Sequence, residues 1–282
     1  MTALPLAIIT GANGDMGTHI TRAVAAAGYP VIMACNNIEN ALCKKDEIIA
    51  QTGNFEITVE YIELCNLQSV ADFATRITER GQSIGLLMNN AGIMLRWPMV
   101  TENGLNSVVS VNYVAPYLLT RRLLPLMGTG SRIANMISCT HAIGQLDLDT
   151  FFQTGGCKKY NQIQVYSNTK LALLLFSLEL AARTVTSGIA VNAVDPGIVN
   201  TRFIHMDRWF DPLADIFFRP CIRTPQKGAA SAIHAMLSPD AKNISGEVFA
   251  NCKVRNLSDK YRSHPLREVL WDATEKEIAA FL

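Results

Sequence analysis

Short runs rich in Val and Ile alternate with longer amphipathic stretches along the chain, and this alternation constrains the fold more than any other feature. Strands are predicted near residues 5–10, 30–35, 57–63, 84–88, 132–137, 189–194 and 247–251. Helices are predicted between them, near residues 15–27, 39–51, 67–79, 102–126, 161–186 and 225–237. Strands that alternate with helices form parallel sheets with both faces covered. The sequence therefore predicts an α/β fold with a doubly wound, Rossmann-type parallel sheet of about seven strands flanked by helices.

The composition fits one large globular domain. The chain has 282 residues, of which 49% are hydrophobic and 17% are charged, and this balance is too apolar for a disordered chain. Neither a linker nor an internal repeat is visible in the sequence. Residues 1–282 are therefore predicted to form a single domain.

Charge and cysteine usage indicate a cytoplasmic protein. The net charge is +1 and the longest basic runs are pairs, which argues against binding to nucleic acid or to an anionic membrane surface. The seven cysteines form no Cys-x-x-Cys pair, which favours a reducing compartment. No apolar run reaches 18 residues and the five histidines are scattered, so neither a membrane span nor a metal site is expected.

Polar and glycine-containing segments follow five of the predicted strands. Ligands of a doubly wound sheet bind outside the carboxyl ends of its strands, so these segments are the candidate site. They are the loop TGANGDMG (10–17), Asn36, Asn-Asn-Ala-Gly (89–92), Ser138 and Asp-Pro-Gly (195–197). The first loop precedes a predicted helix, whose start offers free N–H groups and a positive dipole end to a phosphate.

Tyr166 and Lys170 are the strongest candidates for chemistry. They lie four residues apart on the predicted helix 161–186, so both side chains project from one face. A free phenol has a pKa of about 10, and an ammonium that favours the phenolate by about three pKa units supplies roughly 4 kcal/mol. Such a tyrosine can exchange a proton near neutral pH, although a surface Tyr stacked over a Lys stem gives the same spacing.

Six motifs in order along almost the whole chain resemble the short-chain dehydrogenase/reductase family. They are TGANGDMG (10–17), NNAG (89–92), Asn112 in SVNYVAP, Ser138, YSNTK (166–170) and NAVDPGIVNT (192–201). The tail with SGEVFANCK and LWDATEKE, and the spacing in SCTHAIG, look most like the retinol-dehydrogenase-like branch. The resemblance implies an NAD(P)-dependent oxidoreductase that interconverts a carbonyl and a secondary alcohol.

Carried onto this sequence, the resemblance implies a catalytic tetrad of Asn112, Ser138, Tyr166 and Lys170. Tyr166 would exchange a proton with the substrate oxygen, and Ser138 would hydrogen-bond that oxygen and position it. Lys170 would lower the pKa of the phenol and bind the nicotinamide ribose, while Asn112 would hold a water that links Lys170 to solvent. From the residues alone, Asn112 could instead kink a helix and Ser138 could cap a strand end.

The resemblance also implies which residues bind the cofactor. They are Gly11, Asn13, Gly14, Asp15, Met16, Gly17, Asn36, Asn66, Leu67, Asn90, Ala91, Gly92, Tyr166, Lys170, Pro196, Gly197, Val199 and Thr201. Asn66 stands where the family usually has Asp, a residue that holds the adenine amino group. No residue is expected to bind a metal.

Asp15 departs from the family's glycine pattern. The family has glycines at the positions that match 11, 15 and 17, whereas this loop has them at 11, 14 and 17. We expect Asp15 to begin the helix, with its carboxylate on free N–H groups and turned from the phosphates. In the alternative arrangement the carboxylate faces the pyrophosphate and weakens cofactor binding.

The end of the second strand leaves the choice between NADP and NAD open. An acidic residue there binds the ribose hydroxyls of NAD, and a basic one binds the 2′-phosphate of NADP. Cys35 and Asn36 occupy these positions, so neither rule applies. The missing carboxylate favours NADP slightly, with donors from Asn13, Asn36, Asn37 and Lys44 or Lys45.

Two segments are candidates for substrate contact. Residues 139–165 contain a polar, glycine-rich loop that would line the entrance, and residues 203–224 carry five aromatic side chains and form a candidate lid. Such an aromatic segment could equally be a core or subunit contact. A lid of this composition favours a small to medium apolar substrate: a steroid, a retinoid or a hydrophobic ketone.

The resemblance implies a homodimer or homotetramer built through the helices near 102–126 and 161–186. Two other functions stay open. The first is a nucleotide-binding regulator with no chemistry, since a fold does not fix a function. The second is an epimerase or dehydratase, because related enzymes of this fold share the Tyr-x-x-x-Lys motif.

Overall fold

The computed structural model describes residues 4–199 and 223–282, which form one eight-stranded sheet with helices on both faces. The strands are β1 Leu6–Thr10, β2 Val31–Cys35, β3 Ile57–Tyr61, β4 Ile84–Asn89, β5 Met127–Met136, β6 Ala190–Asp195, β7 Val248–Ala250 and β8 Lys253–Arg255. Their order in the sheet is β3-β2-β1-β4-β5-β6-β7-β8, and only the β7–β8 pair is antiparallel. The strands β2 and β3 lie on one side of β1, and the chain then crosses back to place β4 and the later strands on its other side. The ligand crevice of such a sheet lies at this switch point, beyond the carboxyl ends of β1 and β4.

Helices connect the strands as the alternating sequence pattern predicts. They are α1 Asp15–Ala26, α2 Ile38–Thr52, α3 Leu67–Glu79, α4 Ser107–Val109, α5 Ala115–Leu123, α6 Leu148–Thr154, α7 Gln162–Arg183, α8 Pro225–Leu237, α9 Asp259–Arg262 and α10 Leu266–Glu277. The doubly wound fold is confirmed.

The core has two halves, one on each face of the sheet. In β1, Ile8 belongs to the half that packs on α3, α5 and α7, and Ile9 belongs to the half that packs on α1 and α8. Both side chains are fully buried. Because successive side chains of a strand point to opposite faces, a strand covered on both faces needs a continuous apolar run, and LAIIT supplies it.

The structure differs from the predicted elements in several places. Two helices beyond β8, α9 and α10, are not predicted, and β5 begins at Met127 instead of near 132. The predicted helix 102–126 begins at Ser107 and is interrupted by a π-helical turn at Ser110–Val114. A helix at Leu148–Thr154 lies inside the segment predicted to be a loop. An eighth strand, β8, follows β7 through a tight turn in which Asn251 and Cys252 have positive φ angles of 54° and 58°. The sequence gives a weak signal there, because Asn accepts a positive φ but Cys rarely does.

Residues 4–199 and 223–282 contain neither a membrane-spanning helix nor a cluster of metal ligands. None of their helices has both the length and the apolar character needed to cross a bilayer. Nor do three His, Cys, Asp or Glu side chains of these residues come together as metal ligands would.

Candidate active site

A cavity of about 880 Å³ runs along the carboxyl ends of the strands, at the edge where the sequence places the ligand. It is lined by many of the predicted site residues: Gly11, Asn13, Gly14, Asp15, Met16, Gly17, Asn36, Asn90, Ala91, Gly92, Ser138, Tyr166, Lys170, Pro196, Gly197 and Val199. Asn66, Leu67 and Asn112 are not in its wall. Thr201 and most of the candidate lid, 203–222, lie outside the described residues.

The glycine loop fits a close approach of the backbone to a ligand. Gly11 has a φ of +60°, which favours glycine, and a Cβ on Gly17 would lie 2.0 Å from the carbonyl oxygen of Gly11. Gly14 precedes the first turn of α1 in extended conformation, and no side chain of residues 4–199 or 223–282 caps that helix. The N–H groups at the start of α1 are therefore available to a phosphate.

Asn90 ties the glycine loop to the end of β4. Its Nδ2 donates to the carbonyl oxygens of Thr10, at 2.9 Å, and Gly11, at 3.2 Å. The hydroxyl of Thr10 in turn accepts from the backbone N–H groups of Asn90 and Ala91. Asn90 Oδ1 is buried and has no hydrogen-bond partner in the described chain, so it can accept from a ligand in the cavity. The glycine cradle and this acceptor both fit a dinucleotide.

Asp15 is the first residue of α1, as expected, and it is exposed in the cavity wall. The expected hydrogen bonds from backbone N–H groups to its carboxylate are absent among the described residues, where α1 has no side-chain cap. The carboxylate lies close enough to His19, one turn along the helix, to favour the protonated imidazole and so raise its pKa. Burial and Arg22 outweigh that effect, and the pKa of His19 is lowered overall.

Glu63, rather than Asn66, brings a polar side chain to the wall beyond β3. Asn66 caps α3: its Oδ1 accepts from the backbone N–H of Ser69 at 3.1 Å, and Leu67 is buried in the core. Glu63 is half-buried in the cavity wall, where it accepts from Asn36 Nδ2 at 3.2 Å and from the Cys65 N–H at 2.9 Å. Glu63 is not among the predicted site residues because the sequence places it inside a strand at 57–63. In the structure β3 ends at Tyr61, and the next residues form the cavity edge.

Ser138 begins the turn that follows β5. Its Oγ accepts from the backbone N–H of Thr140 at 3.3 Å and is hydrogen-bonded to the Tyr166 hydroxyl. Its carbonyl oxygen accepts from His141 Nδ1 at 2.6 Å, and His141 is buried. The serine is thus fixed from both sides, with its hydroxyl beside the phenol.

Tyr166 and Lys170 lie on α7 as the four-residue spacing predicts. Lys170 is buried, and its Nζ lies 5.4 Å from the centroid of the Tyr166 ring and donates to the carbonyl oxygen of Met136 at 2.8 Å. Burial lowers the pKa of Lys170 to about 7. Burial likewise raises the pKa of Tyr166, although the bond from Ser138 opposes the rise. The direction is opposite to the lowering that the resemblance implies, because desolvation of the phenolate outweighs the hydrogen bond with Ser138.

Asn112 lies behind the cavity wall, in the π-helical turn of the chain between α4 and α5. Its Oδ1 accepts from the Ile93 N–H at 2.7 Å, and its Nδ2 donates to the Ile93 carbonyl at 2.8 Å and to Thr169 Oγ1 at 3.1 Å. A Cβ on Gly92 would lie 3.2 Å from this Oδ1 and 3.4 Å from Lys170 Nζ. Asn112 therefore does two things: it holds the loop after β4 and stands next to the lysine. Helix irregularities of this kind are common at functional sites.

The Pro196-Gly197 segment closes the cavity beyond β6. Gly197 has a φ of +75°, and its N–H donates to Asp195 Oδ1 at 3.0 Å. Arg223 Nη1 donates to the Pro196 carbonyl at 3.4 Å and so fixes the loop from outside. Asp195 is buried and paired with Arg255 at 3.3 Å.

Four apolar side chains in the cavity wall are not among the predicted site residues. Ile93, Met94, Ile163 and Ile198 line the cavity together with Ser138 and Tyr166. They come from two loops, after β4 and after β6, and from α7, so only the tertiary structure brings them together. The arrangement can hold an apolar molecule with one oxygen atom facing a phenol and a serine hydroxyl.

Comparisons with known proteins agree with this geometry. A family model described as enoyl-(acyl carrier protein) reductase matches residues 11–251. Retinol dehydrogenase 11 of Mus musculus is 32% identical over 274 residues, covering 95% of this chain and 84% of that protein. Retinol dehydrogenase 13 of Homo sapiens is 29% identical over 272 residues, covering 94% and 81%.

Solved structures share the fold. An uncharacterised protein from Mycobacterium paratuberculosis has a TM-score of 0.74 and 25% identity, covering 98% of this chain and 94% of that one. A short-chain dehydrogenase from Burkholderia cenocepacia in complex with NADP has a TM-score of 0.70 and 21% identity, covering 87% and 95%. The family match, the curated relatives and the intact Ser138, Tyr166 and Lys170 lead to one conclusion: the chain belongs to the short-chain dehydrogenase/reductase family of NAD(P)-dependent oxidoreductases.

Proposed function

We propose that this protein transfers a hydride between NAD(P)(H) and the carbonyl or secondary alcohol of an apolar substrate, with Tyr166 as proton donor or acceptor. One observation carries the proposal. Ser138, Tyr166 and Lys170 line the same cavity as the apolar side chains of Ile93, Met94, Ile163 and Ile198. A nicotinamide cofactor supplies or accepts the hydride when it is bound.

The glycine loop and α1 would hold the pyrophosphate through backbone N–H groups, and Asn90 Oδ1 supplies an unused acceptor. Lys170, close to Gly92, would hydrogen-bond the nicotinamide ribose. These contacts fix one reactant, and the apolar wall fixes the other. Positioning of this kind lowers the entropic part of the barrier.

The Ser138 hydroxyl would donate to the substrate oxygen and hold it beside the Tyr166 hydroxyl. In carbonyl reduction the phenol O–H gives its proton to that oxygen as negative charge develops there. Lys170 then supplies the proton that restores the phenol. The raised pKa of Tyr166 leaves the phenol protonated at neutral pH, the form that can donate to a carbonyl oxygen.

The substrate is proposed to be steroid-, retinoid- or ketone-like. The apolar wall of Ile93, Met94, Ile163 and Ile198 supports this class, and several curated relatives are named retinol dehydrogenases. A sugar would leave its hydroxyl groups unpaired against such a wall, at a cost of about 1–3 kcal/mol for each buried group.

The proposal is tested with purified protein, NADH and NADPH, and a panel of retinoid, steroid and aromatic ketones and alcohols, with a sugar alcohol as the polar control. We expect turnover of apolar members, and Tyr166→Phe should lower kcat by roughly 10²–10⁴-fold while cofactor binding persists. Cofactor binding without turnover of any panel member would indicate the regulator. Turnover without a net change in NAD(P)H absorbance would indicate an epimerase or dehydratase. Absence of cofactor binding contradicts the proposed function.

A homodimer or homotetramer through the helices near 102–126 and 161–186 stays a prediction of the resemblance, and we infer that the face covered by α10 is not the one that would form it. The Trp271 ring of α10 packs between Arg121, at 5.1 Å, and Arg183, at 4.3 Å, and the Tyr117 hydroxyl donates to Glu275 at 2.5 Å. The chain's own α10 thus covers the outer face of α5 and α7. Light scattering on the purified protein checks this. We expect the wild type to form no oligomer through this face, and Trp271→Ala, which removes part of the cover, to favour one.

A cytoplasmic location, a single domain over residues 1–282 and a substrate lid at 203–224 are also proposals. Fractionation of cells, limited proteolysis and a deletion within 203–222 test them in turn. For the lid, we expect the deletion to raise KM for the apolar substrate more than for the cofactor.

A further inference from the structure

The cavity wall beyond β2 and β3 carries negative charge and no cation among the described residues. The charged residues in the described wall are Asp15, Glu63 and Lys170, and Lys170 lies at the catalytic end. The wall beyond β2 is where a dinucleotide fold recognises the adenosine ribose. Glu63 reaches it from the neighbouring strand and accepts from Asn36 Nδ2 at 3.2 Å.

The nearest lysine is already paired. Lys44 lines a second cavity of about 540 Å³ on the other side of the glycine loop, together with Asp15 and His19. Its Nζ donates to both carboxylate oxygens of Glu47, at 2.9 and 2.8 Å. Asn13, which separates the two cavities, donates its Nδ2 to Asn40 Oδ1 at 3.0 Å. Most of the donors that the sequence offers to a 2′-phosphate are therefore engaged within the protein.

We propose that Glu63, held by Asn36, selects NAD(H) over NADP(H). A 2′-hydroxyl can donate to a carboxylate or accept from an amide, so it is compatible with this pair. A 2′-phosphate adds about two negative charges and needs cationic or N–H donors. The negative charge of a carboxylate repels that phosphate. This inference deepens the proposed function and rests on it.

The same pair bears on the slight preference for NADP that the sequence predicts. That argument rested on the absence of a carboxylate at Cys35 and Asn36. In the structure, Glu63 in the loop after β3 brings a carboxylate to Asn36. Because Glu63 is half-buried, its charge is screened less than that of a fully exposed side chain.

The test is the ratio of dissociation constants for NADH and NADPH, measured by fluorescence at low and at physiological salt. We expect wild-type protein to bind NADH at least tenfold more tightly than NADPH. Glu63→Gln should tighten NADPH about fivefold or more and change NADH less than threefold, and the gain should shrink as salt rises. Glu56→Gln is the matched control, since this exposed carboxylate near the start of β3 lines neither cavity and should leave both constants unchanged.

Glu47→Gln provides a second, independent variant. It releases Lys44, so we expect tighter NADPH binding with little change for NADH. Equal or tighter binding of NADPH by the wild type overturns the inference, and so does an unchanged NADPH affinity in folded Glu63→Gln. Failure to bind either cofactor would instead refute the proposed function, so the two failures are distinguishable. If Glu63→Gln does not fold, the wild-type ratio and Glu47→Gln still decide.

Discussion

The two ends of the cavity differ in how their residues are held. At the catalytic end, Tyr166 and Lys170 lie on the 22-residue helix α7, and Ser138 comes two residues after the end of β5. At the adenosine end, Asn36 and Glu63 lie in short loops after β2 and β3. The spacing of residues on a helix fixes their relative geometry. The position of a loop residue depends instead on where the preceding strand ends.

The difference teaches where motif reasoning works. Tyr166 and Lys170 lie on α7 and line one cavity, as their spacing predicts, because residues four apart on a helix share a face. Asn66 was assigned to the adenine by its position relative to the family pattern, yet its side chain caps α3. Asn is a favoured helix cap, and that local role accounts for it. The predictions below test each end, beginning with the largest effect.

Lys170→Met should lower kcat by roughly 10²–10³-fold, because it removes both the ribose contact and the proton supply to Tyr166. Initial rates at saturating cofactor measure the effect. Lys159→Met is the control, since this exposed lysine before α7 lines neither cavity. A loss below threefold in folded Lys170→Met would show that the lysine has only a structural role.

The rate of carbonyl reduction should fall about tenfold as the pH rises from 6 to 8. Burial lowers the pKa of Lys170 to about 7, so its ammonium is present below that pH and is lost above it. Reduction consumes a proton and should decline across this range, while alcohol oxidation should rise. Rate profiles in both directions measure the change. An inflection near pH 7 that persists in Lys170→Met would assign it to another group.

Asp15→Gly should change cofactor affinity by less than tenfold, or about 1.4 kcal/mol. Asp15 is exposed at the start of α1, so solvent screens its repulsion of the pyrophosphate. Fluorescence titration at two salt concentrations checks this. Tightening by a hundredfold or more would mean that the carboxylate faces the phosphates and weakens binding in the native protein.

Asn66→Ala should lower the free energy of unfolding by about 1 kcal/mol and leave cofactor affinity within twofold. The substitution removes the cap of α3, in which Asn66 Oδ1 accepts a hydrogen bond from the Ser69 N–H. Chemical denaturation and cofactor titration measure the two quantities. Asn66→Asp is a conservative comparison, because Asp caps helices equally well. A large loss of affinity in Asn66→Ala would restore the role that the resemblance implies.

Elements at the sheet edge and in the connections show why part of the fold escaped prediction. The turn at Asn251 and Cys252, which creates β8, has little signal in residue type, and α6 lies in a segment whose glycines indicate a loop. The cover of α5 and α7 by α10 depends on Trp271 meeting two arginines far apart in the chain. Contacts between distant residues leave no periodic pattern.

The sequence by itself determined the doubly wound sheet, the family and the positions of Ser138, Tyr166 and Lys170. Apolar periodicity reports burial directly, and motifs at fixed spacing report geometry within one element. Only the tertiary structure decided that Glu63 joins Asn36 and that burial raises the pKa of Tyr166. Both depend on which segments approach through space, and distance and desolvation are properties of the folded chain alone.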